Sequence, residues 1–222
     1  MPGPNLTVGE ALTSVVVIIM LLLEFGLLRA FEVGEQRNLY ATQSFFLAIF
    51  AAAAGFLENA PDLYVLAAIT IILKVILIPS LFTRLLRTQQ VRMEIPMTVN
   101  VALSILIGIG LTAFCFLSMS RVQLQGTFLP QTALSTATSI LLLGFLVMIT
   151  RLNVISQVIG FLTLENAAFL VSIAIAPGLP VILEVLVIFD VLAAVLVFGL
   201  LTRLLGAHLG TATTATLNRL RG

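Results

Sequence analysis

Residues 151–178 read RLNVISQVIGFLTLENAAFLVSIAIAPG. An Arg and an Asn stand at the head of this stretch and a Pro and a Gly at its foot, while Val154 to Ala176 carry a single charge, Glu165. About 20 predominantly apolar residues suffice to cross the hydrocarbon core of a bilayer. The run has that length and ends in helix breakers, so it predicts a transmembrane helix near 156–176 with one carboxylate near its middle.

The same signal recurs on both sides of this stretch. Apolar runs broken by charges, Pro or Gly predict further spans near 9–28, 39–57, 63–83, 98–119, 131–150 and 180–202. Pro177, Gly178 and Pro180 leave room only for a hairpin between the last two, and Asn59, Pro61 and Asp62 do the same between the second and third. The expected fold is therefore all-α: one polytopic transmembrane domain, 1–222, of about seven helices.

Composition agrees. Of the 222 residues 60% are hydrophobic and 9% charged, against roughly a quarter charged in an average soluble domain. Seven spans consume nearly the whole length, which leaves no room for a soluble catalytic domain. Net charge is +1 with no basic or acidic tract, so nothing points to nucleic acid. The segment Met1 to Glu10 lacks the Lys or Arg of a signal-peptide n-region, and the first apolar run reads as a retained helix. Cys115 is the single cysteine and His208 the single histidine. No thiolate cage or paired-histidine site can be built from them, and Cys115 reads as a small core residue. Phosphate-cradling glycine loops, a Ser/His/Asp constellation and HExxH are absent as well, so no cofactor or metal is expected in this chain.

Orientation is read from Arg placement, because cytoplasmic loops collect basic residues. Arg29 and Arg37 fall in the first loop, Arg84, Arg87 and Arg92 in the third, Arg151 in the fifth, and Arg203, Arg219 and Arg221 in the C-terminal tail, whose last stretch is 206–222. Only Arg121 falls on the other side. This alternation predicts an outside N-terminus and a cytoplasmic C-terminus, and it is the main argument for seven spans over six.

An ionisable residue at a span's centre costs about 2.5–3.5 kcal/mol on translocon scales and usually marks an ion or proton pathway. Lys74, Glu165 and Asp190 each lie about ten residues into their spans, roughly 13–17 Å deep at 1.5 Å per residue. They share one depth, where an ammonium favours an ionised carboxylate and apolar surroundings a protonated one. Glu24, near the inner end of the first span and about one turn from Arg29, reads either as a boundary ion pair or as part of the same path. Glu184, six residues before Asp190 and about 240° around the helix, faces elsewhere and reads as interfacial. The candidate proton-pathway set is thus Lys74, Glu165, Asp190, Glu24 and Glu184. A static helix-joining pair and a proton relay look alike at this level. Glu58, at the outer end of the second span, reads as a proton exit or a solvated helix end. Pro79, five residues after Lys74, predicts a kink or break in the third span. Ala51 to Ala54 with Gly55, and Gly108 with Gly110, predict close helix contacts.

Arg151, Asn153 and the run Gly160 to Ala167, followed by a span carrying Asp190, resemble subunit K of proton-pumping NADH-quinone oxidoreductase and the C component of Mrp-type sodium/proton antiporters. Across nearly the whole chain, with Gln43-Ser44, Lys74 with Pro79, and Glu165-Asn166, the sequence resembles the hydrogenase-4 component E family. Members are membrane subunits of formate hydrogenlyase and other NiFe-hydrogenase-like complexes. The resemblance implies a non-catalytic subunit of a prokaryotic inner-membrane oxidoreductase complex, with 130–205 as a three-helix unit like subunit K. It implies antiporter-like and quinone-oxidoreductase-like membrane partners, and peripheral hydrogenase subunits that hold the NiFe centre and iron-sulfur clusters. In subunit K two intramembrane glutamates serve a lateral proton pathway. Asp190 takes the second position; the first falls on Leu162, with Glu165 three residues, close to one turn, further on. Arg37-Asn38 before the second span echoes Arg151 and Asn153 and suggests an internal duplication. An Mrp-like antiporter subunit and a purely structural spacer are the rival readings.

Overall fold

The computed structural model describes residues 8–89, 98–119 and 131–175, with residues 195, 197 and 199. In chain order the elements are α1 (Val8–Arg29), α2 (Val33–Leu57), α3 (Asp62–Thr70), a π-helical segment (Ile71–Leu77), α4 (Ile78–Gln89), α5 (Val101–Met119), α6 (Gln131–Thr150) and α7 (Val154–Ile175). No sheet forms among the described residues. With α3, the π segment and α4 taken as one rod, six helices among the described residues are long and apolar enough to cross a membrane. Apart from residues 195, 197 and 199, the seventh expected span lies outside the described residues, as do the turn before it and Asp190, Glu184, Arg121 and His208.

Helices α1, α2, α7 and α6 pack in a ring, each against the next. The rod α3–π–α4 lies against α2, and α5 lies in the groove between α1 and α6. Polarity is inverted relative to a water-soluble bundle. Leu106, Phe114, Leu117, Ile72, Val65 and Ile149 face outward, while Glu24, Gln43, Lys74, Thr163, Glu165 and Asn166 are buried. Only a hydrocarbon solvent makes that arrangement favourable.

Small residues set the helix spacing. A Cβ on Gly144 would stand 3.1 Å from the backbone nitrogen of Leu164, and one on Gly160 would stand 3.2 Å from the carbonyl oxygen of Gly144. The backbones of α6 and α7 therefore touch at this pair, a contact the sequence reading did not single out. Gly108 packs as expected, its missing Cβ replaced by Leu143, Leu28 and Phe25. Gly110 does not, because it faces open space. On α5 the buried residues are Ser104, Gly108 and Cys115, a narrow stripe of small side chains.

The turn between α2 and α3 is the expected hairpin. Asn59 adopts φ 51°, and the Ala60 N–H donates to the Gly55 carbonyl at 3.0 Å. That is the six-to-one bond of a Schellman cap, closed by a residue type that tolerates the left-handed region.

Two expectations are corrected. Arg37 and Asn38 lie inside α2 rather than in a loop before it, because the helix begins at Val33. Hydropathy registers only a span's apolar part, whereas Arg37 is held in the helix by Asn38 and by Thr83 of α4, at 2.6 Å. The proposed echo of Arg151 and Asn153 therefore has no counterpart in position. Of the kink or break expected at Pro79 the break does not occur, since the span runs helical from Asp62 to Gln89, with π turns just before the proline. The proline ring would collide with the carbonyl four residues back. The π turns before it widen the ladder, with the Ile78 N–H reaching Leu73, while Ser80 and Thr83 hydroxyls donate to the carbonyls of Leu77 and Pro79, each at 2.7 Å.

Candidate functional site: a buried polar network

Lys74 sits in the π segment, and π turns concentrate at functional positions in helices. From the outer rod its side chain reaches α7, where Nζ lies 3.7 Å from Glu165 Oε1 and donates to Asn166 Oδ1 at 3.1 Å. The ring of Phe169, one turn along α7, lies 5.2 Å beneath the ammonium. The two charges sequence placed at one depth do meet, and neither is more than 3% exposed.

From Asn166 the network continues inward. Asn166 Nδ2 donates to Gln43 Oε1 at 3.2 Å and to Ser44 Oγ at 3.0 Å. Gln43 Nε2 donates to Glu24 Oε2 at 2.7 Å and to the Met20 carbonyl at 3.3 Å. The Thr163 hydroxyl donates to Glu24 Oε1 at 3.1 Å. Four elements, α1, α2, the π segment and α7, contribute to one network that joins an ammonium to two carboxylates.

Its polarity is set from the Lys74 end. Lys74 Nζ donates, so Asn166 presents its oxygen to Lys74 and its nitrogen to Gln43 Oε1, which leaves the Gln43 nitrogen to face Glu24. Every bond between Lys74 and Glu24 donates in the direction of Glu24. Bonds aligned in this way polarise one another and strengthen in a low-dielectric interior.

Glu24 is thereby corrected from the boundary-pair reading. Arg29 pairs instead with Glu35 at 3.4 Å on the exposed surface, and Glu24 turns to the other side of α1. Residues 36, 40, 43, 44 and 47 of α2 form one buried face, which gives α2 a polar stripe opposite α7. Gln43-Ser44 and Asn166 entered the sequence reading as marks of resemblance; their chemical part was not assigned, and Thr163 carried no role at all. The available signal was neutral: amides and hydroxyls at helical spacing on the faces that bear the charges. Glu58 is a half-buried helix end, its N–H donating to the Ala54 carbonyl at 2.9 Å.

Arg151 was expected as a loop charge. It is in the loop, yet only 1% exposed. Its Nη2 donates to the carbonyls of Leu27, at 3.2 Å, and Leu28, near the C-terminal end of α1, where helix carbonyls lack internal partners and carry partial negative charge. Burial pulls its pKa below the ordinary guanidinium value. Asn153 caps α7, with Oδ1 accepting from the Ile155 N–H at 2.9 Å, and Gln157 Nε2 donates to the Arg151 carbonyl at 2.8 Å. No cluster of three metal-ligand side chains occurs among the described residues.

Six apolar spans among the described residues, around a buried ammonium-carboxylate network, define a multi-pass membrane protein with a charged interior. The chain is 32% identical over 185 residues to the uncharacterized protein Rv0085 of Mycobacterium tuberculosis, covering 83% of this chain and 84% of that protein. It is 28% identical over 183 residues to hydrogenase-4 component E of Escherichia coli K12, covering 82% and 85%, with the same figures for hydrogenase-4 component E of Shigella flexneri. The chain belongs to the family of Rv0085, and its similarity to hydrogenase-4 component E, at lower identity over the same share of the chain, supports a hydrogenase-4 component E-like character for that family. No protein-family model matches it, and no solved structure matches significantly.

Proposed function

We propose that the chain is a membrane subunit of a hydrogenase-type complex, and that the network around Lys74, Glu165 and Glu24 takes part in moving protons through its membrane arm. The first half draws on the similarity to hydrogenase-4 component E. The observation that carries the second is the Lys74–Glu165 pair at 3.7 Å, inside the bundle and linked by hydrogen bonds to a further carboxylate. Buried ionisable groups in a membrane are costly and concentrate on ion pathways.

The chemistry divides the labour. Carboxyl and ammonium groups accept and release protons, whereas the amides of Gln43 and Asn166 can pass one only through an unfavourable imidic acid tautomer. Glu24 and the Lys74–Glu165 pair are therefore two proton-exchange stations that sense each other's charge through an oriented amide bridge. A proton gained at Glu24 weakens the pull on the Gln43 donor, and the change passes along the bridge to the Lys74–Glu165 pair. Asp190 is the proposed third station, in the seventh span of a three-helix unit, 130–205, similar to subunit K, with Glu184 toward its outer end. The N-terminus is proposed to lie outside and the C-terminus in the cytoplasm of a prokaryotic inner membrane. Redox cofactors belong to partner subunits, in company with antiporter-like and quinone-oxidoreductase-like membrane proteins.

A second reading, a structural strut, draws on Asn166, whose three hydrogen bonds tie α7 to α2 and to the π segment. The two separate experimentally. With Glu165→Gln, Glu24→Gln and Asp190→Asn complexes purified by a tag on this chain, and their composition checked by mass spectrometry, the relay predicts normal assembly with lost proton translocation. Intact assembly with unchanged translocation and turnover refutes the relay and leaves the strut.

A further inference from the structure

Glu24 is approached from one side by the amide bridge. On its other side, toward the connections α1–α2 and α6–α7, three elements present buried polar atoms that have no hydrogen-bond partner among the described residues. They are both ends of the Gln36 amide on α2, the Ser156 hydroxyl on α7, and Nε and Nη1 of Arg151. None of these residues is more than 1% exposed.

Their positions converge. Gln36 precedes Gln43 by seven residues and Ser156 precedes Thr163 by seven, which on an α-helix is about two turns, or 10 Å, with a rotation of only about 20°. Gln43 and Thr163 are the two side chains that donate to Glu24. Gln36 and Ser156 therefore stand two turns beneath Glu24, on the two faces that flank it. Arg151 closes the third side. The carbonyls it reaches, Leu27 and Leu28, follow Glu24 by three and four residues and so share its face of α1. Between the layers lies buried Tyr40, four residues after Gln36 and three before Gln43.

Polar groups left unpaired in hydrocarbon are strongly unfavourable, and five such atoms lie on the three segments whose register brings them to this level. An anion would suit Arg151, but Gln36 and Ser156 offer donors and acceptors together, which is the complement of water. Buried waters make two to four hydrogen bonds to otherwise unsatisfied groups, so about two would serve all five atoms.

We propose that the column bounded by Gln36, Ser156 and Arg151 holds ordered water, and that further water leading from it past Tyr40 gives Glu24 the proton-exchange partner that the amides cannot supply. The part played by Glu24 rests on the relay reading; the water does not.

Radiolytic footprinting of the full chain in native membrane vesicles tests it, because an X-ray pulse turns bound water into hydroxyl radicals that oxidise the adjacent side chain. Buried Tyr40 is expected to be oxidised at a rate comparable with exposed Tyr64, while Phe50, buried in the apolar cluster of α2 and α3, stays silent. Gln36→Leu with Ser156→Ala is expected to reduce Tyr40 oxidation severalfold and leave Tyr64 unchanged. A wild-type Tyr40 as silent as Phe50 overturns the proposal, as does undiminished Tyr40 labelling in the double variant. Should that variant fail to accumulate, the wild-type comparison decides alone. Lost labelling would leave the relay standing, and unaltered translocation in Glu165→Gln would leave the water standing.

Discussion

Replacing Lys74 by Met probes the ion pair at the centre of the bundle. At 3.7 Å the attraction is roughly 4–5 kcal/mol for an effective dielectric of about 20, and burial of both partners leaves solvent little part in screening it. Met preserves length and apolar volume but leaves Glu165 as a buried charge, Asn166 Oδ1 without its donor, and Phe169 without its cation. Removing one partner of a buried pair typically costs about 3–5 kcal/mol, mostly through the stranded charge, and Lys74→Met is expected to lose about that much. Glu165→Gln should lose less, because Lys74 keeps the Asn166 oxygen and the Phe169 ring. In the double variant neither charge is stranded, so its stability should be no lower than that of Lys74→Met, a coupling of about 2 kcal/mol or more. Reversible unfolding of the four proteins in mixed detergent micelles gives the cycle. Additive losses, with a coupling under about 0.5 kcal/mol, would refute the view that the pair acts as a unit.

Gly144→Val is expected to force α6 from α7, since the obstacle is backbone, and to lower the melting temperature in detergent by an amount equivalent to about 1–3 kcal/mol; Gly110→Val, with open space around it, should melt like the wild type. Arg151→Met should destabilise the chain by freeing the carbonyls near the end of α1, whereas Arg29→Ala, which breaks only an exposed pair, should leave thermal unfolding unchanged. Pro79→Ala restores a backbone donor and is expected to let the π segment revert toward α-helix, turning Lys74 away from Asn166. Assembly should then persist while translocation falls, and unchanged translocation counts against a role for the π turns. In a Cys115→Ser background, cysteines at Asn59 and Leu152 should react with an impermeant maleimide from opposite faces of the membrane, the Leu152 position from the cytoplasmic one; reaction of both from one face rules out the proposed topology.

Much of this protein was legible in its letters. Apolar runs of membrane-crossing length gave six of the spans to within a few residues at most ends, because hydrophobic thickness is a one-dimensional constraint. The exceptions were the end of α4, which runs to Gln89, and the start of α2. The first turns of α2 carry Glu35, Gln36, Arg37 and Asn38, and a polar helical turn has the same hydropathy as a polar loop. The α2–α3 hairpin was readable from Asn59 and Pro61, since a helix cap is local chemistry. Lys74 and Glu165 stood out because charge in lipid is costly wherever the helix faces.

What sequence alone determined, then, was which segments enter the membrane and which side chains are anomalous once there. Both follow from the transfer of single residues or single helices between water and hydrocarbon. The rotation and contact of the helices decided the rest: that Glu24 turns from Arg29 to Gln43 and Thr163, that Arg151 closes the end of α1 rather than facing solvent, and that Asn166 joins the ammonium to α2. Those choices depend on pairwise packing, above all the backbone contact at Gly144 and Gly160 and the widened turn before Pro79. A buried polar group settles where a complementary group on another helix is waiting, and no single stretch of chain specifies that.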